Sequence, residues 1–380
     1  MNRRGIIYLL SLGVVFLLAI LGATMLMRGM TEAGVSQRAF NQTAGFQLAD
    51  AGIDQATINL RTADTSDDLL TGTFPVGAAS TGTYTILSVT SLDSQTQQVT
   101  SRGAVNGQHR DVEATIRLTP QSVFQFALFG DQTVTVGGNA NTDSYDSSAG
   151  SYDASNHFHD GDVGTNSTVA GGVNVSGSIF VDGQVAVGPN VAVPTSVVTG
   201  YDPSFITGNP KVVSMGATFP MPDVKVPEGL PCLDHTVTGS TTETLPPGTY
   251  CYHDLTIQGH AALTTSGSVK IYLTGKLRAQ GDSTVGVVDH PSNMIFLMAT
   301  DSEATLDEGV VTGTNAFYGA LYGPKATINV TGNADVFGSI IAKKVNLQGS
   351  AWIHYDESLN QLTNVSNVFH TAVVEWRDLD

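Results

Sequence analysis

The residues best suited to chemistry form one short polar run before the middle of the chain. His157 and His159 lie two positions apart, and Asp160 and Asp162 follow in a Gly/Asp-rich turn. Imidazole nitrogens and carboxylate oxygens both bind divalent cations, so the run is a candidate metal site. A solvated surface turn is the favoured interpretation, because no matching ligand set is identifiable elsewhere in the sequence. We therefore expect no resident metal or other cofactor.

The patterns of common enzyme classes are missing from the sequence. Asp356 and Glu357 are adjacent, so a strand would point them to opposite sides. Serine is frequent, but a Gly-x-Ser-x-Gly motif does not occur. Polysaccharide lyases are a further enzyme class to consider, because many of them are parallel β-helices. They need clustered basic residues, whereas the 17 Lys and Arg of this chain are spread over 380 positions. We expect no enzymatic activity.

The charge distribution argues against nucleic acid as a partner. The formal net charge is −17, and no stretch of the chain concentrates Lys or Arg. A nucleic-acid binder needs a clustered basic face to neutralise phosphates. An acidic surface of this kind mainly favours solubility.

Two cysteines, Cys232 and Cys251, flank a turn-rich stretch. In an oxidising compartment they would pair, close a loop of about 20 residues and stabilise the fold by about 3 kcal/mol. The alternative is two buried free thiols. We favour the disulfide if this part of the chain is exported.

The element that precedes these groups is a long apolar helix. The segment Ile6–Leu26 carries no charge and is long enough to cross the hydrocarbon core of a bilayer, with Arg3 and Arg4 before it. A cleaved secretory signal is the alternative. An apolar stripe continues through Thr31–Thr62, so the pattern predicts one helix of over fifty residues. The stripe comprises Val35, Ala39, Phe46, Ala49, Ile53, Ala56 and Leu60.

A small β-meander is predicted directly after the helix. Strands begin near Tyr84, Val99 and Arg110, and Asn106-Gly107 is typical of a two-residue hairpin turn between the last two. The side chains of Val112, Ala114, Ile116 and Leu118 should face one side of the last strand. That side could cover the apolar stripe of the helix.

The remaining chain favours a Gly-rich parallel β-solenoid. Short apolar runs alternate with Gly or Asn turns from about 133 to 353, and glycine would supply positive φ at the corners. A β-sandwich is the alternative, but its turns would be spaced more widely. We expect excursions from the stack at 141–166 and 195–250, and a last strand, Val365–Trp376, that closes its open end.

The N-terminus resembles the class III signal of type IV pilins and type II secretion pseudopilins. A basic leader ends at Gly5, and the apolar helix begins at Ile6. The run from Ala44 to Gly52, which ends in Ala-Asp-Ala-Gly, is similar to the PilX N-terminal group of pilus assembly proteins. The resemblance implies cleavage by prepilin peptidase between Gly5 and Ile6. Major pilins carry Glu at the fifth mature position, which is Leu10 here, so the resemblance favours a minor or accessory subunit.

The segment 245–376 is similar to a C-terminal domain of unknown function that is distantly like bactofilin coils. Together these features predict a mainly β protein with a long N-terminal helix: a pilin-like helix and small antiparallel sheet, then a parallel β-solenoid. The expected boundaries are 1–5 for the leader, 6–62 for the helix, 63–118 for the small β-domain and 119–380 for the solenoid.

The resulting hypothesis is a minor or accessory type IV pilin-like subunit or pilus assembly protein. It would be anchored in the inner membrane with its body in the periplasm or on a surface pilus. Its partners would be other pilin-like subunits and inner-membrane assembly proteins. The alternative is a membrane-tethered module that binds glycan or cell wall, with Tyr318, Tyr322 and Tyr355 as candidate aromatic contacts.

Overall fold

The computed structural model describes residues 3–61, 71–76, 80–299, 308–313, 316–363, 365 and 368–379. The side chains of 3–11 and 308–313 lie outside this description, and with them those of Gly5, Ile6 and Leu10. The chain divides into two compact units. Unit 1 comprises Met1–Thr119 and Phe369–Asp380, and unit 2 comprises Pro120–Val368.

The described chain contains one long helix and many strands, so the prediction of a mainly β fold with a long N-terminal helix is confirmed. Unit 1 is built from α1 (Arg3–Arg61), β1 (Thr71–Val76), β2 (Ser80–Asp93), β3 (Thr96–Val105), β4 (Gln108–Pro120) and β25 (Phe369–Asp378). Unit 2 contains β5 (Leu128–Gly138), β6 (Asn141–Tyr145), β7 (Val163–Thr165), β8 (Val173–Gly177), β9 (Phe180–Val181), β10 (Val185–Val187), β11 (Val198–Thr199), β12 (Val212–Ser214), β13 (Leu233–Val237), β14 (Thr242–Leu245), β15 (Gly248–Gly259), β16 (Ala262–Thr265), β17 (Val269–Leu273), β18 (Leu277–Gly281), β19 (Thr284–Val285), β20 (Met294–Met298), β21 (Glu308–Gly313), β22 (Ala316–Gly332), β23 (Asp335–Leu347) and β24 (Trp352–Asp356).

Among the described side chains of α1, those of residues 12–40 are exposed, and packing in unit 1 begins at Asn41. Ala49, Ile53 and Ala56 are buried against the sheet, as the apolar stripe predicts, whereas Val35 is 61% exposed. Ala39 is exposed as well, so the buried stripe begins later than its sequence pattern suggests. Packing of the part from Asn41 onward supplies stability that an isolated helix lacks.

The helix approaches β3 closely because both elements carry small residues there. A Cβ added at Gly103 would lie 1.9 Å from the Gly45 carbonyl oxygen and 2.5 Å from the Ala49 nitrogen. At Gly52 it would lie 2.1 Å from the Ser101 hydroxyl oxygen. The small residues between Ala44 and Gly52 therefore have a packing role: they form a seam between the helix and the sheet.

The predicted hairpin between β3 and β4 is confirmed. Val105 pairs with Gln108, and both turn residues, Asn106 and Gly107, have positive φ of 48° and 78°. Positive φ at both positions is the requirement of the favoured two-residue hairpin turn. The four apolar side chains that alternate along β4 from Val112 to Leu118 are buried, as predicted.

The last strand does not close the solenoid, and that expectation was wrong. β25 joins the sheet of unit 1 in the order β1-β2-β3-β4-β25. The Trp376 ring lies 5.3 Å from the Phe46 ring of the helix, and Arg110 pairs with Asp378 at 2.9 Å. Contacts with the helix and β4 therefore decide where this strand belongs, and neither contact is visible in its local sequence. The predicted solenoid range of 119–380 is too long at this end.

Unit 2 is a stack of parallel coils, and its strands form three faces. Face A runs β13–β15–β18–β21–β22–β23–β5–β8–β11 in spatial order. Face B runs β14–β16–β19–β22–β23–β24–β6–β9. Face C runs β15–β17–β20–β22–β23–β5–β7–β10–β12. All these pairings are parallel, as a solenoid requires.

The chain does not fill the stack in sequence order. It starts in the middle with β5–β7, builds to one end at β11 and β12, and then continues at the opposite end with β13. The later coils return, so that β23 and β24 pair with β5 and β6 of the first coil. The predicted excursions at 141–166 and 195–250 were therefore partly wrong. They contain β6, β7 and β11–β14, whose two to five residues are too short to show a pattern.

Inward side chains form one continuous apolar core, and face C carries a second apolar layer on its outer side. Residues on the outer side of face C in this layer include Phe129, Ile295, Leu297, Ala320, Tyr322 and Ile341, and those that cover them include Phe124, Phe219 and Leu359. Part of the cover is the segment 215–232, which follows β12. The Tyr322 hydroxyl donates to the Pro222 carbonyl at 2.7 Å, and Asn166 exchanges two hydrogen bonds with the Phe219 backbone.

Glycines form a column at the corner that follows face A. Gly138, Gly177, Gly332 and Gly349 all have φ between +79° and +92°. A Cβ at Gly138 would lie 2.4 Å from the Gly349 carbonyl oxygen, and one at Gly177 would lie 2.3 Å from that of Gly138. Positive φ and close stacking thus both demand glycine at this corner.

A polar pair occupies the coil at the β13–β14 end of the stack. His235 and Glu243 lie in register with Leu255 and Leu263, which are fully buried in the next coil. The His235 Nε2 atom lies 3.0 Å from both carboxylate oxygens of Glu243. Cys232 and Cys251 are joined by a disulfide on the same coils, with their Cα atoms 4.7 Å apart. A polar pair and a disulfide thus accompany the buried Val237 and Leu245 at this end of the stack.

The glycine column gives a stability prediction. Gly138→Ala would put a methyl group on a positive-φ backbone against the Gly349 carbonyl, so we expect unfolding to become easier by about 1–3 kcal/mol. Gly216→Ala is the matched control, since a Cβ there meets no atom within 4 Å, and its effect should stay within about 0.5 kcal/mol. Urea denaturation followed by circular dichroism measures both. Equal midpoints would refute the role of the column.

The seam between the helix and the sheet of unit 1 gives a second stability prediction. Gly103→Ala forces the helix away from β3, so we expect a loss of about 1–3 kcal/mol. Gly34→Ala, at a helix glycine with open space around its Cα, should instead be neutral or stabilising by about 0.5–1 kcal/mol. Limited proteolysis of the detergent-solubilised protein reads out unit 1. A Gly103→Ala protein as resistant as the wild type would contradict the close approach.

Candidate functional site

A polar cluster of the solenoid lies on the outer side of face B, at the end of a column of stacked rings. Tyr318, Phe337, His354 and Asp143 are register partners on four successive coils. The Tyr318 and Phe337 rings stack at 4.6 Å, as do those of Phe337 and His354. The His354 Nδ1 atom lies 2.6 Å from Asp143 Oδ1. The column therefore ends on a carboxylate that is only 2% exposed.

The excursion 146–162 between β6 and β7 folds over this column. The Tyr152 hydroxyl donates to Asp143 Oδ2 at 2.6 Å, and its ring lies 4.2 Å from that of His354. The His157 Nε2 atom is 3.3 Å from the same Asp143 oxygen. Burial, and then the bond to Asp143, raise the pKa of the Tyr152 hydroxyl, so it remains a proton donor.

A second buried carboxylate, Asp182, completes the cluster. The His159 Nδ1 atom lies 2.7 Å from Asp182 Oδ2, and the Thr207 hydroxyl donates to Asp182 Oδ1 at 2.7 Å. The hydrogen bond to Asp182 and its charge raise the pKa of His159. These contacts hold the excursion on the coil.

The structure separates the four residues predicted as metal candidates. His157 and His159 turn to Asp143 and Asp182, whereas Asp160 and Asp162 line a neighbouring groove. These four therefore do not form the single ligand set that their spacing suggested. Sequence reasoning missed the parts played by Asp182 and His354, which become neighbours only through coil stacking.

The neighbouring groove is strongly acidic. Asp146, Asp160, Asp162 and Glu357 line it together with Tyr355. Burial is the main cause that raises the pKa of Asp162, and the charge of Asp160 adds to it. Burial likewise raises the pKa of Glu357, with Asp160 and Asp146 as further causes. Repulsion among these carboxylates favours any cation that enters the groove.

Two of the three tyrosines proposed as surface contacts are buried. Tyr322 and Tyr355 are 1% and 4% exposed, and their hydroxyls donate to the carbonyls of Pro222 and Phe124. Tyr318 is half-buried in the ring column. Tyr355 belongs to the inward core of the coils, and Tyr322 lies in the covered apolar layer on the outer side of face C.

The other functional feature is the first half of α1. Its apolar side chains from Leu12 to Met30 are between 47% and 74% exposed. By length and composition, this helix could cross a membrane or serve as a signal sequence. The backbone of Gly5 and Ile6 is helical, while the predicted cleavage concerns residues whose side chains lie outside the described part.

Comparison with known proteins gives limited matches. A family model for a domain of unknown function (DUF7305) matches residues 253–362, within the segment for which such a resemblance was expected. It covers well under half of the chain. No curated protein matches.

Solved structures resemble the chain only distantly. The competence-associated pilin ComZ from Thermus thermophilus is 13% identical with a TM-score of 0.29, over 88% of this chain and 97% of that one. An ice-binding protein from an Antarctic biological consortium is 16% identical with a TM-score of 0.32, over 61% and 90%. The DUF3494 domain of an ice-binding protein from Shewanella frigidimarina is 15% identical with a TM-score of 0.31, over 63% and 99%. Likenesses this weak carry no functional argument.

The His159–Asp182 pair predicts a pH dependence. Because the folded pKa of His159 is raised, the pair stabilises the excursion fully below the ordinary histidine value of about 6.5 and loses this effect as pH rises through the raised pKa. Asp182→Asn should return the pKa of His159 toward its ordinary value. Asp160→Asn should lower it less, since Asp160 is a minor cause. Imidazole NMR titration of both variants measures the shifts, and a larger effect of Asp160→Asn would overturn the assignment.

Proposed function

We propose that this chain is a minor or accessory type IV pilin-like structural subunit, anchored in the inner membrane by α1 and carrying the solenoid as its exported body. The observation that carries the proposal is α1 itself. One unbroken helix of 59 residues has an exposed apolar first half, and its second half is packed on a small antiparallel sheet.

The exposed half of α1 needs an apolar environment. The uncharged positions 6–26 rise about 32 Å along the helix axis, which is close to the thickness of the hydrocarbon core. Large apolar side chains left in water along this length would drive aggregation. Either a bilayer or a bundle of equivalent helices can cover this apolar surface. The same helix can therefore lie in the membrane or in the core of a filament.

The leader supports a pilin type of helix rather than an ordinary anchor. Its basic residues, the glycine at position 5 and the immediate start of the apolar helix at Ile6 resemble a prepilin peptidase site. Leu10 replaces the carboxylate of major pilins, so the chain lacks that contact with a neighbouring subunit. An accessory position, with pilin-like subunits and inner-membrane assembly proteins as partners, fits this difference.

The alternative function is a tethered module that binds glycan. One observation favours it: Trp352 and Phe180 are 38% and 41% exposed on one outward column of face B, separated by Asn141. Exposed aromatic side chains supply contact area for sugar rings. We rank this function second, because a helix that only tethers a binding module to the membrane would not need a leader that resembles a prepilin peptidase site.

The proposal is tested by the mature N-terminus and by the location of the protein. In cells with an active prepilin peptidase, mass spectrometry should find a chain that begins at Ile6. Gly5→Val should retain Met1, whereas Gly13→Val, at a glycine inside the helix, should leave processing unchanged. The mature protein should occur in the inner membrane and in sheared pilus fractions.

Two results would contradict the pilin-like function. One is an intact Met1 in wild-type cells that process other prepilins. The other is normal pili after deletion of the gene, together with glycan-array binding that is lost in Trp352→Ala; this would favour the tethered binding module instead.

A further inference from the structure

A group of side chains of the types that ligate metals lies at the β13–β14 end of the stack. Asp234 of β13 and the consecutive His253 and Asp254 of β15 place one ligand atom each within 4.8 Å of one another. The Asp234 Oδ1 atom is 3.0 Å from His253 Nδ1, and Asp254 Oδ1 is 3.6 Å from that nitrogen. Two carboxylates therefore converge on one imidazole nitrogen.

A β-bulge produces this convergence. Leu233 pairs with Tyr252 and His235 pairs with Leu255, so Asp234 alone faces both residues between Tyr252 and Leu255. Bulges of this kind redirect side chains at the point where two residues oppose one. Without the extra residue, His253 and Asp254 would point to opposite sides of the strand.

The two distances from His253 Nδ1 are close to those between ligand atoms around a small divalent transition ion. Zn²⁺ binds imidazole nitrogen and carboxylate oxygen at about 2.0–2.2 Å, so neighbouring ligand atoms of a tetrahedral site lie about 3.3–3.6 Å apart. The distances of 3.0 and 3.6 Å lie around this range. One nitrogen and two oxygen donors leave a coordination position for water.

The surrounding structure fixes the ligands before any ion arrives. The backbone N–H of Lys276 donates to Asp254 Oδ1 at 2.7 Å, and that of Asp254 donates to Asp234 Oδ1 at 3.2 Å. Cys232 and Cys251 precede Asp234 and His253 by two residues each, and their disulfide holds the two strands in register. Such outer contacts orient ligands and strengthen binding.

We propose that Asp234, His253 and Asp254 form a site for a divalent transition-metal ion, with Zn²⁺ as its representative. The ion replaces the imidazole proton between the two carboxylates and links the last coil of the stack to the next one. The site is independent of the proposed pilin-like function, because it stabilises the end of the solenoid whatever the helix does.

The test is isothermal titration calorimetry with Zn²⁺ on the full-length protein in detergent, after removal of metal with EDTA. One ion should bind per chain at this site. His253→Gln and Asp234→Asn should each weaken binding at least about tenfold. Both side chains are more than half exposed, so the variants should fold, and circular dichroism checks this. A Cys232→Ser/Cys251→Ser double variant should also bind more weakly.

Two control variants keep the assignment specific. His260→Gln removes another imidazole that is more than half exposed and lies 3.4 Å from Asp282, and it should leave binding unchanged. His159→Gln tests the cluster on face B in the same way. Unchanged Zn²⁺ affinity in His253→Gln, or loss of binding in either control instead, would overturn the proposal.

Discussion

A coil of this solenoid can neither bury its inward side chains nor pair its backbone without the coils on both sides. Parallel backbone pairing between neighbours therefore governs everything else in unit 2. Stacked coils bring equivalent corners within van der Waals distance, and the corner after face A becomes a column of glycines for that reason. At one end of the stack, the coil of β13 and β14 adds a His–Glu pair and a disulfide to the buried Val237 and Leu245.

The order in which the chain fills the stack follows from the same constraint. The first coil is formed in the middle and stays open on one side until β23 and β24 pair with it. Contacts between residues more than 200 positions apart, such as His354 with Asp143, therefore complete its core and its outer side. Such non-local pairing slows folding in general, because loop-closure entropy is lost before the contacts form.

Polar chemistry in this protein collects where the regular stack is interrupted. The excursion 146–162 carries Tyr152, His157 and His159 onto two buried carboxylates, and the bulge at Asp234 gathers a histidine and two aspartates. Within one regular strand, side chains alternate and neighbouring ligands are separated. Polar groups therefore meet through the stacking of coils, as His354 and Asp143 do, or through a bulge or an excursion. In unit 1 the corresponding irregularity is the loss of side chains at Gly45, Gly52 and Gly103, which lets the helix lie directly on the sheet.

The sequence by itself determined the elements whose cause is local. The length and apolarity of α1, the Asn106-Gly107 turn, the alternation along β4 and the glycine-punctuated solenoid could all be predicted, because each depends on side-chain periodicity or on the backbone freedom of a few adjacent residues. Tertiary structure alone decided the order of the coils, the transfer of β25 to the sheet of unit 1 and the membership of both polar clusters. Asp143, Asp182 and His354 are far apart in sequence, and the bulge opposite Asp234 is a property of two paired strands. No local sequence pattern specifies which strand pairs with which. The positions of the candidate sites depend on that pairing, so only the tertiary structure reveals them.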